Sequence, residues 1–394
     1  MSTAFVVLAL SLLLGLQPVT TDLYLPALPS ITQDLGASVA QAQLTLSGLL
    51  LAFGLSQLVW GPISDRFGRR PVLLLGLAIY VVAAVGSTLA GSMEALLLWR
   101  IAQGAAMGAS VMCARALVRD LYSPEVGARA ISKGLTGLGV IACLSIPLGG
   151  VLAEFFGWRS ALSALALFGA ATLALIALRF EETLQRPDPD ALRPATLVRT
   201  WITILRNPTF LAFALLAAAT YGGLFTLLAA SSFVFIRLME LSRIEYGALM
   251  FVIVLAYVGG TLLCRRLLVR FGVQRTVAIG GVFSLAGGSL LGLGGLAGLE
   301  GVWPILLPAL IYMVGHGIHQ PCGQAGAVGP FPKAAGAASA MSGFLMMVVA
   351  FAMGQWLGAS MDGTPLPMTH GIWFWGVATA AVAWGLVGRV PRQA

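Results

Sequence analysis

The chain has 394 residues, of which 58% are hydrophobic and only 10% charged, with a formal net charge of +8. A soluble domain carries about a quarter charged residues, so this composition excludes a water-soluble globule and makes lipid the expected solvent. Long continuous apolar runs also exclude a membrane β-barrel, whose strands alternate over roughly ten residues. They predict an all-α integral membrane protein, since a spanning helix needs about 20 apolar residues.

Twelve apolar segments follow in chain order, at 4–26, 41–61, 72–91, 95–118, 132–155, 159–178, 208–235, 246–268, 276–297, 302–328, 336–360 and 369–388. The first has the length of a signal peptide. It lacks a basic leading region, however, and Asp22 follows in the same apolar context, so it is read as a retained helix. The widest polar gap, "RFEETLQRPDPDALRPATLVRTWITILRNP" from Arg179 to Pro208, holds four prolines and follows the sixth segment. It reads as a linker. The expected organisation is a six-helix half over 1–180, a cytoplasmic linker over 181–207 and a second six-helix half over 208–394.

Lys and Arg concentrate in cytoplasmic loops. With the N-terminus inside, that side collects Arg66, Arg69, Arg70, Arg115, Arg119, Arg129, Lys133, Arg179, Arg186, Arg193, Arg199, Arg206, Arg265, Arg266, Arg270, Arg275, Lys333, Arg389 and Arg392, 19 of the 23 basic residues. Both termini are therefore expected in the cytoplasm. The excess of positive charge is a topology signal and predicts no nucleic-acid partner. The four cysteines, Cys113, Cys143, Cys264 and Cys322, lie far apart in apolar runs, which argues against a disulfide framework or a metal site.

"RFG" occurs at Arg66–Gly68 and again at Arg270–Gly272, 204 residues later, each time after the second segment of its half. Parallel repeats of this kind are typical of transporters whose halves rock about a central site. The first copy lies in "GPISDRFGRR", Gly61 to Arg70, a dense ionic turn in an apolar chain. Glycines at 61 and 68 suit close approach and a tight turn. Asp65 suits the N–H groups at a helix N-terminus in the other half. Arg69 has Asp120 of "RALVRDLYSP" as its expected partner, beside Arg119. Arg66 and Arg70 complete the motif. A plain basic anchor would explain the arginines but not the acid and both glycines. The second copy, "RRLLVRFGVQ", has Val269 in place of the acid, so it would not repeat these contacts.

The G-x-x-x-D-R-x-G-R-R pattern resembles the signature loop of the major facilitator superfamily. "GLGVIACLSIPLGGVLAEFFGW", with Pro147, Gly149 and Gly150, resembles the antiporter motif of its drug-exporting members, although ordinary small-residue packing explains the same residues. With "TDLYLPALPSITQDLG", "WRIAQG" and "VRDLYSP", the chain is similar to the Bcr/CflA group of twelve-helix drug:proton antiporters. The resemblance implies two six-helix halves, a bacterial inner-membrane location and a monomer. It implies export of lipophilic small molecules driven by the proton gradient, with no cofactor and no enzymatic activity.

Charged groups inside spanning helices are costly and usually functional. Asp22 lies roughly 26 Å along the first helix, and Arg100 enters the fourth by roughly 9 Å from outside, at the 1.5 Å rise per residue of a helix. The two thus share a depth, and making and breaking an Asp22–Arg100 pair would let the acid bind and release a proton. A static pair, or a helix-end cap by Asp22, is the structural alternative. In "GHGIHQPCGQAG", His316 and His319 share a helix face and could bind a metal or relay protons. No third ligand is in view, and hydrogen bonds to neighbouring helices explain them as well. Tyr24, Gln103, Tyr221, Phe225, Gln320 and Met346 complete the candidate substrate-binding set with the two histidines, adaptable Met and aromatic walls suiting varied apolar ligands. The alternative within transport is proton-coupled uptake of a small polar solute, which would call for more charge along the central path. An enzyme is disfavoured: no HExxH, GxSxG or Walker loop occurs.

Overall fold

A computed structural model of the chain describes residues 1–122 and 124–390; Arg392 of the inner charge count lies outside them. Among the described residues every regular element is helical. The helices are α1 (Thr3–Asp22), α2 (Leu28–Asp34), α3 (Val39–Phe67), α4 (Arg69–Thr88), α5 (Met93–Leu121), α6 (Pro124–Phe156), α7 (Trp158–Arg179), α8 (Pro194–Leu205), α9 (Pro208–Ser232), α10 (Arg243–Leu296), α11 (Trp303–Val328), α12 (Ala335–Ser360) and α13 (Leu366–Gly385).

Ten of these helical stretches are long and apolar enough to cross a membrane. Arg243–Leu296 counts as one of them, yet 54 unbroken residues would run about 81 Å at 1.5 Å per residue, far beyond a core of about 30 Å. The break is Gly272, at φ 71° and ψ 179°. Two spans therefore lie in α10, on either side of that residue. The helix α11 falls outside the ten because His316, His319 and Gln320 lower its hydropathy. With these two adjustments, twelve segments among the described residues are candidates to span a membrane.

Sequence expectation and structure differ in two places. The first span does not stop near residue 26: a short 3-10 turn, Leu25–Ala27, carries it into α2 and on to Asp34. Pro26 and Pro29 interrupt the ladder without turning the chain away. The expected linker contains α8, in which Leu197, Thr200, Trp201 and Ile204 recur at helical spacing and are more covered than Val198, Ile202 and Leu205. Asn207 then caps α9, accepting from the Phe210 N–H.

The chain divides into two compact units, residues 1–201 and 202–394. In the first, α5 packs on α3 and α4, α1 packs on α6, and α4 packs on α7. Small residues set these crossings: a Cβ on Gly104 would overlap the Leu49 carbonyl, and one on Gly149 the Leu23 carbonyl. In the second, α10 packs on α11 and α13, and α9 on α11, α12 and α13.

The repeat is written in the backbone as well as in the letters. Gly68 at φ 101°, ψ 158° breaks α3 from α4, as Gly272 breaks α10. Both sit in the left-handed region that favours glycine.

Candidate functional site

The charged loop between α3 and α4 is built around Arg69, the first residue of α4, whose side chain is only 2% exposed. Its Nη1 contacts Asp65 Oδ1 at 2.7 Å and donates to Ser64 Oγ at 2.7 Å, and its Nε donates to Asp120 Oδ2 at 2.9 Å. Asp65 lies one turn earlier on α3, and Asp120 at the end of α5, so the guanidinium ties two helices together. Arg119 approaches Asp65 at 3.5 Å and Asp120 at 3.9 Å. Two cations and two carboxylates balance, which a buried arginine requires.

Within this unit the carboxylate at a helix N-terminus is not Asp65, which is engaged by Arg69 and Arg119, but Glu182. Its Oε1 accepts from the Arg69 N–H at 2.9 Å and its Oε2 from the Arg70 N–H at 3.0 Å. These are first-turn donors of α4, where an anion is favoured. The Thr183 and Leu184 N–H groups also donate to Oε1. Partial burial pushes the Glu182 carboxyl up, but the backbone donors of Leu184, Arg69, Arg70 and Thr183 outweigh it and hold the group below the usual glutamate range. Arg70 makes the converse contact. Its Nε donates to the Phe180 carbonyl at 2.9 Å and its Nη2 to the Ala177 carbonyl at 3.0 Å, at the C-terminal end of α7. Thr183 Oγ1 reaches Asp120 Oδ2 at 3.4 Å. Arg66 stands apart from the acids and donates to the Pro189 carbonyl at 3.2 Å.

The two motif glycines do different things. Gly68 makes the turn, and a Cβ there would meet Glu182 Oε2 at 2.5 Å. Gly61 lies inside α3, not in a turn, and a Cβ there would meet only the flexible end of Met112, at 3.3 Å. The expected close approach at Gly61 is thus mild.

The second cluster surrounds Arg100 on α5, which is fully buried. The expected ion pair with Asp22 is not formed. Instead Arg100 Nη2 donates to the Thr20 carbonyl at 3.0 Å and Nη1 to Gln103 Oε1 at 2.9 Å, while the guanidinium lies 4.3 Å from the Tyr24 ring centroid. Those acceptors, on α1 and on its own helix, engage two of its nitrogens, and the carboxylate is not among them. Asp22, the last residue of α1, accepts from Thr21 Oγ1 at 2.7 Å. Tyr24 OH pairs with Thr45 at 2.8 Å, and Tyr80 OH with Thr20 at 2.7 Å. Arg100 Nε faces no acceptor. On α6, Pro147 lies inside the helix and Gly150 is buried beside Gly149, whose contact with Leu23 places the motif against the chain just after Asp22.

The remaining candidates lie in the second unit and do not converge. His316 Nδ1 pairs with Thr220 Oγ1 at 3.0 Å and its ring lies 5.4 Å from that of Tyr257. His319 sits between Ser284 Oγ at 3.3 Å and the Val277 carbonyl at 3.0 Å. One helix face thus serves two different neighbours. Gln320 Nε2 reaches Met346 Sδ at 3.3 Å, joining α11 to α12. On α9, Phe225 is buried and Tyr221 half-buried.

Sequence reasoning missed Glu182, Ser64, Thr20, Thr45 and Tyr80. Glu182 stood in a polar stretch, "RFEETL", where an acid needs no explanation. The hydroxyls carried no signal, because only their partners on other helices single them out.

Residues 10–354 match the family described as Major Facilitator Superfamily. The chain is 30% identical over 341 residues to multidrug resistance protein D of Escherichia coli, covering 86% of this chain and 85% of that protein. It is 27% identical over 368 residues to the bicyclomycin resistance protein homolog of Haemophilus influenzae, covering 93% and 92%. Among solved structures, a D-xylose-proton symporter superposes with a TM-score of 0.77 at 18% identity over 98% of each chain. At that identity the likeness is one of fold.

Proposed function

The chain belongs to the Major Facilitator Superfamily, and on that premise we propose that it is an antiporter expelling lipophilic drugs in exchange for protons. It is a multi-pass membrane protein and not an enzyme. The drug class follows its two resistance-protein relatives, which match over most of their length. The symporter likeness concerns fold and carries no substrate.

The observation that carries the coupling is Asp22. It is an acid at the end of α1, inside the span that continues to Asp34, held by Thr21 and free of any ion pair among the described residues, two residues from the carbonyl that anchors Arg100. A proton carrier must lose and regain charge in a poorly hydrated place, and a carboxyl does so while an arginine stays protonated. Arg100, fixed on the Thr20 carbonyl, Gln103 and Tyr24, holds the end of α1 in register with α5. In this reading the two residues act at one place without forming a salt bridge.

The cluster of Asp65, Arg69, Arg119 and Asp120, with Gly61, Arg66, Gly68 and Arg70 around it, serves as the gate that holds in one transport state and releases in the other. Pro147, Gly149 and Gly150 supply the bend and close packing beside Asp22. For substrate binding the candidates are Tyr24 and Gln103 in the first unit and Tyr221, Phe225, His316, His319, Gln320 and Met346 in the second. The halves run over 1–180 and 208–394 with the linker at 181–207. The protein works as a monomer in a bacterial inner membrane, both termini cytoplasmic.

Export from cells lacking their own pumps, measured with a fluorescent lipophilic drug, tests the whole reading. Export that stops when an uncoupler collapses the proton gradient supports it. Export that persists, or drug uptake in its place, overturns it.

A further inference from the structure

We propose that Cys264 and Cys322 form a dithiol that two-electron peroxide oxidants convert to a disulfide between α10 and α11. The two sulfurs lie 3.6 Å apart, and Cys264 Sγ is also 3.6 Å from the Ile318 carbonyl. Both side chains are buried, at 2% and 5% exposure.

The helix crossing explains the proximity. Gly260 is one turn before Cys264, and Gly317 is five residues before Cys322. A Cβ on Gly317 would lie 2.9 Å from the Gly260 Cα, and one on Gly260 would overlap the Val314 carbonyl. Backbones in contact at that point bring the next pair of side chains, the two cysteines, face to face. A disulfide has its sulfurs about 2.05 Å apart, so closure needs the gap to shorten by roughly 1.5 Å, within the reach of χ1 rotation. Cys113, buried, and Cys143, half-buried, lie in the first unit, apart from this pair.

The place also admits an oxidant. Arg265 and Arg266 follow Cys264 directly and are exposed, so this end of the first α10 span lies at the level of the aqueous interface. Hydrogen peroxide is small and uncharged. One thiol, as its thiolate, attacks a peroxide oxygen; the O–O bond breaks, giving a sulfenic acid and, with the released protons, one water. The second thiol then attacks that sulfur, the S–O bond breaks, and a second water leaves as the S–S bond forms. Two thiols and one peroxide become one disulfide and two waters. As a bare structural pair, the cysteines would act as small apolar fillers of the crossing, and peroxide would leave them alone.

The first test uses the full-length wild-type protein in detergent and needs no variant to fold. Protein treated with hydrogen peroxide is denatured, alkylated and mapped by mass spectrometry. The expected result is joint loss of alkylation at Cys264 and Cys322, regained with dithiothreitol. A linked peptide two hydrogens lighter than its separate halves should accompany it, with a yield independent of protein concentration. Both thiols remaining alkylatable after Cys143 has been oxidised would overturn the proposal, as would sulfinic acid at either site with no linked peptide. In Cys322→Ser, no disulfide-linked peptide containing Cys264 should form; a linked peptide joining Cys264 to another cysteine would place the partner elsewhere.

Discussion

Gly68 and Glu182 fit one another: the glycine opens the turn before α4, and the glutamate oxygen occupies the space that a Cβ on the glycine would fill, 2.5 Å from where that atom would lie. From there Glu182 reaches the Arg69 and Arg70 N–H groups. A left-handed backbone, a helix cap and a missing side chain are thus one device.

Gly68→Ala should cost about 1–3 kcal/mol for the strained backbone, beyond what it loses by displacing the cap. Thermal unfolding of purified protein, followed by tryptophan fluorescence, gives the measurement. Because Glu182→Ala removes the atom that the new methyl would strike, the double variant should lose less than the two single losses added together. Simple additivity would show the two positions to be uncoupled.

The cap also makes a pH prediction. The folded Glu182 carboxyl is held below the unfolded glutamate value of about 4.3. A group depressed on folding contributes stability that is fully present above its unfolded value and lost as pH falls through its folded one. The melting temperature of wild type should therefore drop more steeply than that of Glu182→Gln below about pH 4, while the difference between them stays constant from pH 7 to 5. Parallel curves across the acid range would remove the cap from the account.

Arg69 is buried between Asp65 and Asp120, so removing one partner strands a charge. Breaking a buried pair in this way costs about 3–5 kcal/mol. Asp120→Asn and Arg69→Gln should each lower stability, and the charge swap Arg69→Asp with Asp120→Arg should recover part of it. Asp65→Asn should insert into the membrane normally yet export poorly. Transport at the wild-type rate by well-expressed Asp65→Asn would sink the gating role.

Arg100→Lys keeps the charge and loses the fork. A lysine cannot hold the Thr20 carbonyl and Gln103 together while lying flat on Tyr24, so export should fall sharply despite a conserved charge. Activity equal to wild type would make the cation alone sufficient.

Asp22→Asn should still bind neutral lipophilic drugs but release no protons when they bind. A pH dye with detergent-purified protein reads the release directly, and drug-quenched tryptophan fluorescence reads the binding. Undiminished proton release would assign the carrier elsewhere, with His316 and His319 the next candidates. Loss of binding together with release would make Asp22 a substrate ligand as well.

Composition and apolar run length determined by themselves that the chain crosses a membrane in twelve segments, because hydrocarbon tolerates few other patterns and each span needs its own length. The charges and glycines of Gly61–Arg70 marked an ionic turn, and its resemblance to the family's signature loop named Asp120 as the Arg69 partner, a contact the structure forms. What lay between helices stayed out of reach. Equal depth suggested an Asp22–Arg100 salt bridge, but depth is one coordinate, and the guanidinium instead donates to the Thr20 carbonyl. Glu182 was unremarkable until folding brought it, more than a hundred residues along the chain, onto the first N–H groups of α4. Only tertiary packing chooses among polar partners at the same level of the membrane, because a buried donor pairs with whatever acceptor packing sets beside it, regardless of distance along the sequence.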